Sequence, residues 1–403
     1  MGNKYTSKTK HTRRRAGKVN APLNEKLKNV EWGEFKINDL FEKIQVKALK
    51  YKTSELPSIP NQDFNLPALT AGIQNQGLNN YVERKNATIL KNVISISANG
   101  ANTGATFYQN KEFTVLQDAY AIKWIGTKNE LSDNQYLFFA NSISKTIFGN
   151  YEWTNKAGWE KIKGNKIQIP IKNGKIDFEF MESFIAELEA ERINKLDDYL
   201  IANGFNNYVL TDEEKQVLEA FRNDKNSMGG VVDNQVVVNL KWRKFNLEKL
   251  FGKATRGKRL KGDDRILGDL PFVTAGETDE GVSAFIGNNV NIFPENTTTI
   301  DMFGSAKYRN YKYGGDDHVA VVHTENLPKL ASIFVTTSIH KTSYNGQFNY
   351  GRNFYAKDAD ELNISLPAVN NQPNYELMEI LISAIQKLVL KDVVLYVNNK
   401  ING

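Results

Sequence analysis

Apolar and polar positions along the chain follow two periods, one after the other, and this succession occurs twice. Segments rich in β-branched and aromatic residues come first in each half and predict strands, namely NVISISA and TVLQDAYAIKWI, then TTTIDMF and HVAVVHT. After Pro170 and again after Pro367 the period changes to about 3.6 residues, which predicts a long helix over 178–203 and another running to the C-terminus. We therefore predict an α/β (α+β) fold of two tandem mixed, strand-rich domains, each followed by a long helix.

The two halves match each other in order. The paired segments are EWGEFKINDLFEK and KWRKFNLEKLFGK, LPALTAG and LPFVTAG, ISANG and IDMFG, DAYAI and DHVAV, IQIP and ISLP, and DFEFMES and NYELMEI. This alignment pairs Gly100 with Gly304 and Asp118 with Asp317, and the offset falls from 210 to 197 residues. Such a period is far above that of solenoid repeats and indicates a tandem domain duplication.

The apolar stripe of each long helix is wider than one domain needs. We predict that the two helices pack as an antiparallel coiled coil, while packing of each helix only on its own domain remains an alternative. Between the copies, Thr211 and Glu214 form a capping box that predicts a short helix. The predicted divisions are a basic arm (1–29), domain 1 (30–173), the long spacer helix and the short helix (174–223), a linker (224–239), domain 2 (240–369) and a C-terminal spacer helix (370–403).

Composition narrows the possible functions. The 403 residues contain no cysteine, which excludes disulfides, thiolate nucleophiles and cysteine-based zinc sites. We find no membrane-spanning apolar run and no secretory signal, so we expect a cytoplasmic location. The net charge of +6 favours an acidic partner such as nucleic acid, although basic residues of the N-terminal arm carry part of it.

Motifs for catalysis are absent. The GANTGAT segment lacks the Gly-Lys-Ser/Thr ending of a phosphate loop, and no Asn/Asp-Pro-Pro-Tyr/Phe tetrapeptide of an amino-methyltransferase occurs. Asp316 and Asp317 could be argued as a metal pair, but side chains of successive strand residues face opposite ways. We therefore expect a binding protein with no metal, catalytic residue or cofactor of its own.

Candidate nucleic-acid contacts lie in the predicted loops. Amide side chains suit adenine edges because they donate and accept at once, and basic residues interleaved with tyrosines suit phosphates and bases. A solvated strand face with alternating polarity is the alternative for the basic and aromatic segment. The candidates are Thr70, Gly72, Gln74, Asn75, Gln76, Asn99, Asn102 and Thr103 in copy one, and Arg256, Lys258, Arg259, Lys261, Thr274, Gly276, Lys307, Arg309 and Lys312 in copy two.

The ordered set of motifs resembles the DNA specificity (S) subunits of type I restriction-modification systems. The resemblance rests on the W-x-x-F-x-[IL]-x-x-LF entry, the LP-x-x-TAG segment, the ISANG-x-NTGATFYQ and IDMFG-x-AKYR strands, and the I-x-[IL]P strand with its long helix. It covers nearly the whole chain after about residue 30. It implies two target recognition domains, each binding one half of a split double-stranded DNA target, and helices that set the gap between the halves. The basic arm is not expected from the family.

The resemblance also implies partners. Two methyltransferase (M) subunits would carry S-adenosylmethionine and methylate adenine N6, and endonuclease/translocase (R) subunits would use ATP and Mg. The DNA-binding subunit of a type IIB system has the same tandem architecture and remains an alternative. From other classes, an enzyme with an unrecognised active site and a protein-binding adaptor also remain open. By this interpretation TAG recurs because each domain needs a tight, glycine-permitted turn beside its DNA face.

Overall fold

The computed structural model describes residues 21–128, 130–226 and 240–402. Most of the predicted basic arm (1–20) and of the predicted linker (227–239) lies outside the described residues. The chain divides into two compact units between Lys195 and Leu196, here called unit 1 and unit 2. In the described ranges no helix combines the length and hydropathy needed to cross a bilayer.

The first copy begins with a helix and ends with a long one. Its elements are α1 (Ala21–Asn29), β1 (Glu31–Lys36), α2 (Ile37–Leu40), β2 (Phe41–Lys43), β3 (Phe64–Leu69), β4 (Leu78–Glu83), β5 (Val93–Ser97), β6 (Thr106–Gln109), β7 (Thr114–Val115), β8 (Ala119–Trp124), α3 (Asp133–Ile147), α4 (Trp159–Ile162), β9 (Lys166–Lys172), β10 (Lys175–Ile176) and α5 (Phe178–Ala202).

The second copy repeats this order. Its elements are α6 (Asp212–Asn226), β11 (Trp242–Asn246), α7 (Leu247–Phe251), β12 (Thr255–Arg256), β13 (Leu267–Val273), β14 (Val282–Ile286), β15 (Ile292–Phe293), β16 (Thr297–Asp301), β17 (Ala306–Arg309), β18 (Tyr313–Gly315), β19 (Val319–Val322), α8 (Lys329–Ser343), α9 (Ala356–Glu361), β20 (Asn363–Val369), β21 (Gln372–Pro373) and α10 (Tyr375–Asn402).

Sheet topology confirms the duplication. The order β2-β8-β5-β6 in copy one returns as β12-β19-β16-β17, and β1-β9-β10 returns as β11-β20-β21. The third sheet, β4-β3-β7, returns as β14-β13-β18-β15 with one added strand. The mixed, strand-rich α/β fold of two tandem domains is therefore as predicted. Buried residues at corresponding positions form the two largest cores, among them Ile96, Ile122, Phe139 and Met181 in one and Ile300, Val322, Val335 and Met378 in the other.

The glycine pairing predicted from sequence is wrong in one turn. Gly104, and not Gly100, is the counterpart of Gly304, because both have a positive φ (87° and 86°) and both approach a carbonyl at the end of the following helix. An added Cβ would lie 3.0 Å from Ile147 O at Gly104 and 2.3 Å from Ser343 O at Gly304. The turn at 98–103 in copy one is therefore four residues longer than its counterpart at 302–303.

A second correction concerns the aspartates before β8 and β19. Ala119 pairs with Ser97, and Val319 pairs with Asp301, so the counterpart of Asp118 is His318 and not Asp317. Asp316 and Asp317 lie in the turn that precedes β19 and not in a strand. The strand argument used against a shared site for these two carboxylates therefore does not apply.

Each copy carries a helix before its first strand, and each of these helices packs on the long helix of the same copy. In unit 1, Leu23 of α1 is buried, and Lys26 forms an ion pair with Glu187 of α5. In unit 2, Val217 of α6 is buried against the core that contains α10. Residues 21–29 were predicted as part of an arm, and this segment is helical instead.

The predicted helix signals are confirmed. The Thr211 hydroxyl accepts from Glu214 N (3.1 Å), and the Glu214 carboxylate accepts from Thr211 N (2.8 Å), as the capping box requires. Gly204 follows α5 with a φ of 68°, the conformation in which glycine commonly ends a helix. The antiparallel coiled coil of α5 and α10 stays a prediction.

Candidate nucleic-acid interface

The recurring Thr-Ala-Gly segments open two loops with one backbone conformation, residues 70–77 (TAG loop 1) and 274–281 (TAG loop 2). The Thr70 amide donates to Gly77 O at 3.0 Å, and the Thr274 amide donates to Gly281 O at 2.8 Å. Each loop follows a strand that has a parallel neighbour, β3 beside β7 and β13 beside β18. The same turn is therefore built at the same edge in both units.

Both turns require the second glycine, whereas the glycine of Thr-Ala-Gly has a positive φ only in unit 2, at Gly276 (144°). Gly77 and Gly281 have φ values of 89° and 82°. A Cβ would lie 2.8 Å from Thr70 O in the first case and 2.7 Å from Thr274 O in the second. Gly72 has only open space and one contact at 3.9 Å around its missing Cβ. The close return of the chain, rather than the start of the loop, accounts for the repeated glycine.

In unit 1 the loop borders a surface pocket of about 640 Å³. Five of the predicted contact residues line it, namely Thr70, Gly72, Gln74, Asn75 and Asn102, and the neighbouring Tyr81 adds an aromatic ring. Gln76 lines a smaller adjoining cavity with Ser95 and Ser97. The longer turn at 98–103 thus brings the Asn102 side-chain amide to the same pocket as the amides of Gln74 and Asn75 in TAG loop 1.

Two other predicted residues of unit 1 have internal partners. The Asn99 side-chain amide donates to Asp118 Oδ1 at 2.8 Å. Thr103 is 1% exposed, and its hydroxyl accepts from Ala157 N at 2.9 Å. Thr103 therefore connects the turn at 98–103 to the backbone at Ala157, in place of the predicted DNA contact.

In unit 2 the side chains of Lys307 and Asp301 form hydrogen bonds with TAG loop 2. Lys307 Nζ donates to Gly276 O (3.3 Å) and to the Glu277 carboxylate (3.1 Å), and Gly276 N donates to the buried Asp301 carboxylate (3.3 Å). The pKa of the Glu277 carboxyl lies below its usual 4.5, because Ser305 forms a hydrogen bond with it and the Lys307 ammonium stabilises its charged form. Lys307, predicted to bind DNA, thus positions TAG loop 2.

Arg309 is also internal, with 1% of its surface exposed. Its guanidinium donates to the Thr299 hydroxyl (2.9 Å), the Tyr311 hydroxyl (3.0 Å) and Glu280 O (2.8 Å). Tyr313 beside it is fully buried. The basic and aromatic alternation predicted as a DNA surface is therefore largely internal, and the structure gives Arg309 a supporting role in place of the predicted DNA contact.

The remaining predicted cations are exposed. Lys312 follows β17, and Arg256, Lys258, Arg259 and Lys261 lie on a segment that leaves the edge strand beside β19 (cationic segment 2, residues 255–261). A Cβ added to Gly257 in this segment would lie 1.6 Å from Gly315 O, so only glycine allows the segment to approach the backbone of Gly315 this closely. Asp316, next to Gly315, donates its amide to Val273 O at the start of TAG loop 2. Cationic segment 2 and TAG loop 2 therefore approach the same strand end.

Unit 1 has a corresponding segment that the sequence prediction missed. Residues 45–52 (cationic segment 1) leave the edge beside β8, where Ile44 N donates to Ala121 O at 2.9 Å. This segment exposes Lys47, Lys50 and Lys52, two of which line a pocket of about 500 Å³ that reaches Gln117. The alternation of lysine with apolar residues in VKALKYK was the signal available in the sequence.

Asp316, Asp317 and His318 bring their side chains together at this turn of unit 2. Their possible ligand atoms lie within 4.8 Å of one another, and His318 Nδ1 is 3.0 Å from the Asp317 carboxylate. Burial raises the pKa of the Asp316 carboxyl above its ordinary 3.8, and the Asp317 carboxylate raises it further. His318 offsets part of the negative charge of this turn when it is protonated.

Two copies of one framework, with one loop backbone and different exposed side chains, define a tandem recognition protein. A family profile described as "Type I restriction modification DNA specificity domain" matches residues 29–198 and 239–393. The chain belongs to this family, and the resemblance inferred from its motifs is confirmed.

A curated relative and a solved structure are similar along nearly the whole chain. The chain is 22% identical over 355 residues to the "Type II restriction enzyme BgcI specificity subunit S.BcgI" of Heyndrickxia coagulans, covering 87% of this chain and 93% of that protein. A type I restriction-modification S subunit from M. genitalium has the same fold, with a TM-score of 0.56, 15% identity and 93% of each chain covered.

Proposed function

We propose that this chain recognises a bipartite DNA target, with unit 1 and unit 2 each binding one half-site. The observation that carries the proposal is the pair of TAG loops, which share a backbone and a supporting strand edge but expose different side chains. Exposed cations on cationic segments 1 and 2 supply contacts to phosphates in each unit.

The chain directs partner subunits and performs no chemistry itself. Two methyltransferase subunits that bind S-adenosylmethionine methylate adenine N6 at the target, and endonuclease/translocase subunits cleave DNA with ATP and Mg. Membership of the specificity-domain family supports this assignment. The long helices α5 and α10, packed as an antiparallel coiled coil, set the gap between the half-sites.

A type IIB complex is the second candidate. It is favoured by the similarity to S.BcgI, which is named as a type II specificity subunit and matches 87% of this chain. In such a complex one partner chain carries both the nuclease and the methyltransferase. Isolation of the native complex and identification of its subunits separates the two systems, since type I requires separate M and R chains.

The test is to co-express the chain with the methyltransferase encoded beside it and to map methylated adenines across the host genome by single-molecule sequencing. We expect a motif of two short defined halves around a fixed run of unspecified bases. A folded, cofactor-bound partner that methylates no site would overturn the proposal and bring the adaptor hypothesis forward. A continuous motif would contradict the bipartite target alone.

A further inference from the structure

TAG loops 1 and 2 place chemically different side chains on one backbone. Asn75 (φ 45°, ψ 36°) corresponds to Asp279 (φ 48°, ψ 37°), and Gln76 (φ 56°, ψ 30°) corresponds to Glu280 (φ 55°, ψ 25°). Each pair has the same shape and differs only in an amide against a carboxylate. The two loops therefore differ in hydrogen-bonding capacity and charge at positions where their geometry is the same.

These positions are strained for any residue with a side chain. Two successive residues in the left-handed region cost backbone energy that glycine would avoid. Among the non-glycine residues with positive φ in the described ranges, all except Gln76 and Glu280 are Asn or Asp, the types that tolerate this region best. A long polar side chain kept at the same strained position in both loops indicates that the side chain itself is needed.

All four side chains are exposed. Within residues 21–128, 130–226 and 240–402, no group forms a recorded hydrogen bond with any of the four. In TAG loop 2 the buried Arg309 donates to the backbone oxygen of Glu280 at 2.8 Å, so this bond does not occupy the Glu280 carboxylate. The framework thus fixes the backbone and leaves the polar ends of the side chains available.

The chemistry of the two pairs selects different bases. An amide donates and accepts together and matches the N7 acceptor and the N6 amino group of adenine. A carboxylate only accepts, so it matches the N4 amino group of cytosine and is repelled by phosphates and by the acceptor edge of guanine. An exposed acidic pair beside DNA is therefore favourable only against an amino group.

We propose that Asp279 and Glu280 specify a cytosine in the half-site of unit 2, whereas Asn75 and Gln76 specify an adenine in the half-site of unit 1. This inference rests on the proposed function, because it assigns base contacts within the bipartite target. The specificity of each half-site is then set by the amide or carboxylate character of one residue pair on a shared loop.

The test exchanges amide and carboxylate groups at these positions and keeps the shape of each side chain. The full chain carrying Asp279→Asn and Glu280→Gln, and a matched chain carrying Asn75→Asp and Gln76→Glu, are each co-expressed with the methyltransferase partner, and methylated sites are mapped. The first variant should lose discrimination for a cytosine in one half-site by about ten-fold to a hundred-fold. The second should lose discrimination for an adenine in the other half-site only, and the gap should stay constant.

Competition binding by the purified complexes decides any case in which a variant methylates no site. The duplexes carry each of the four base pairs at the affected position, and a cytosine analogue without the 4-amino group is included. Unchanged motifs in both variants, changes spread over both half-sites, or equal binding to cytosine and the analogue by the wild-type complex would overturn the inference. Absence of a split motif for the wild-type chain would instead overturn the proposed function.

Discussion

The Lys387 ammonium of α10 lies 2.8 Å from the Glu214 carboxylate of α6, which is only 5% exposed. Ser383 of α10 donates to the same carboxylate at 2.6 Å. Burial alone raises the pKa of Glu214, but the bonds from Lys387, Ser383 and Thr211 outweigh it and hold the pKa below its usual 4.5. One side chain therefore caps α6 and joins it to α10 within unit 2.

We predict that Glu214→Gln lowers the free energy of unfolding of unit 2 by about 2 kcal/mol at pH 7, because it removes the charge that pairs with a largely buried lysine. A carboxyl whose pKa is lowered by folding stabilises the fold above its unfolded pKa. The difference from the wild type should therefore be complete above pH 4.5 and vanish as the pH falls through the folded pKa. Denaturant unfolding at several pH values measures it.

Glu213→Gln is the matched control, since Glu213 is the exposed neighbour on the same helix. It should change stability by less than about 0.5 kcal/mol. Equal effects of the two substitutions, or a Glu214→Gln effect that grows toward low pH, would contradict the assignment.

Local sequence signals predicted the elements of this fold better than their long-range pairing. The period of apolar residues and the capping box predicted α5, α6 and α10, since helices depend on neighbours within four residues. The register that pairs Ala119 with Ser97 joins two different strands, and it shows that the alignment of DAYAI with DHVAV was one residue out. The alignment of ISANG with IDMFG chose the wrong glycine because the turns before Gly104 and Gly304 differ in length.

In the candidate site, too, local features were predicted better than long-range contacts. Alternation of basic and aromatic residues made Lys307, Arg309 and Lys312 equivalent in sequence, but the fold leaves only Lys312 exposed. Thr299 and the backbone of TAG loop 2 enclose Arg309, and both come from other parts of unit 2. Gln74, Asn75 and Asn102 were predicted on loops, and the structure places them around one pocket because the turn at 98–103 is long.

Gly281→Ala should destabilise unit 2 by about 2 kcal/mol, because the new Cβ would meet Thr274 O at 2.7 Å and the φ of 82° is unfavourable for alanine. For a unit of this size we expect a fall of about 4–8 °C in the thermal midpoint. Gly262→Ala is the control, since nothing lies within 4 Å of its missing Cβ. A larger effect at Gly262 would mean that the loop return is not the constraint.

Cationic segment 2 should supply phosphate contacts. Replacing Lys258, Arg259 and Lys261 with Gln should weaken binding to all DNA sequences and reduce the slope of log affinity against log salt by up to about 3, because each lost phosphate contact removes about 0.9. Titration of the complex with its methyltransferase over a range of salt concentrations measures the slope.

A control with the same loss of charge separates contact from net charge. Lys329, Lys341 and Lys357 are exposed on α8 and α9 and can be replaced with Gln in one chain. This variant should keep most of the wild-type slope. An equal fall in slope for both variants would mean that the total charge, and not cationic segment 2, governs binding.

Lys307 and Lys312 should behave differently although they are only five residues apart in the sequence. Lys307→Met removes the ammonium that holds Gly276 O and Glu277, so it should loosen TAG loop 2 and weaken discrimination in one half-site while the salt slope stays unchanged. Lys312→Met removes an exposed charge and should reduce the slope by up to about 0.9 with discrimination unchanged. Methylation mapping and salt titration of the two variants measure both quantities. A reduced slope for Lys307→Met would show that its ammonium reaches a phosphate, and the positioning role inferred from its bonds to TAG loop 2 would then be wrong.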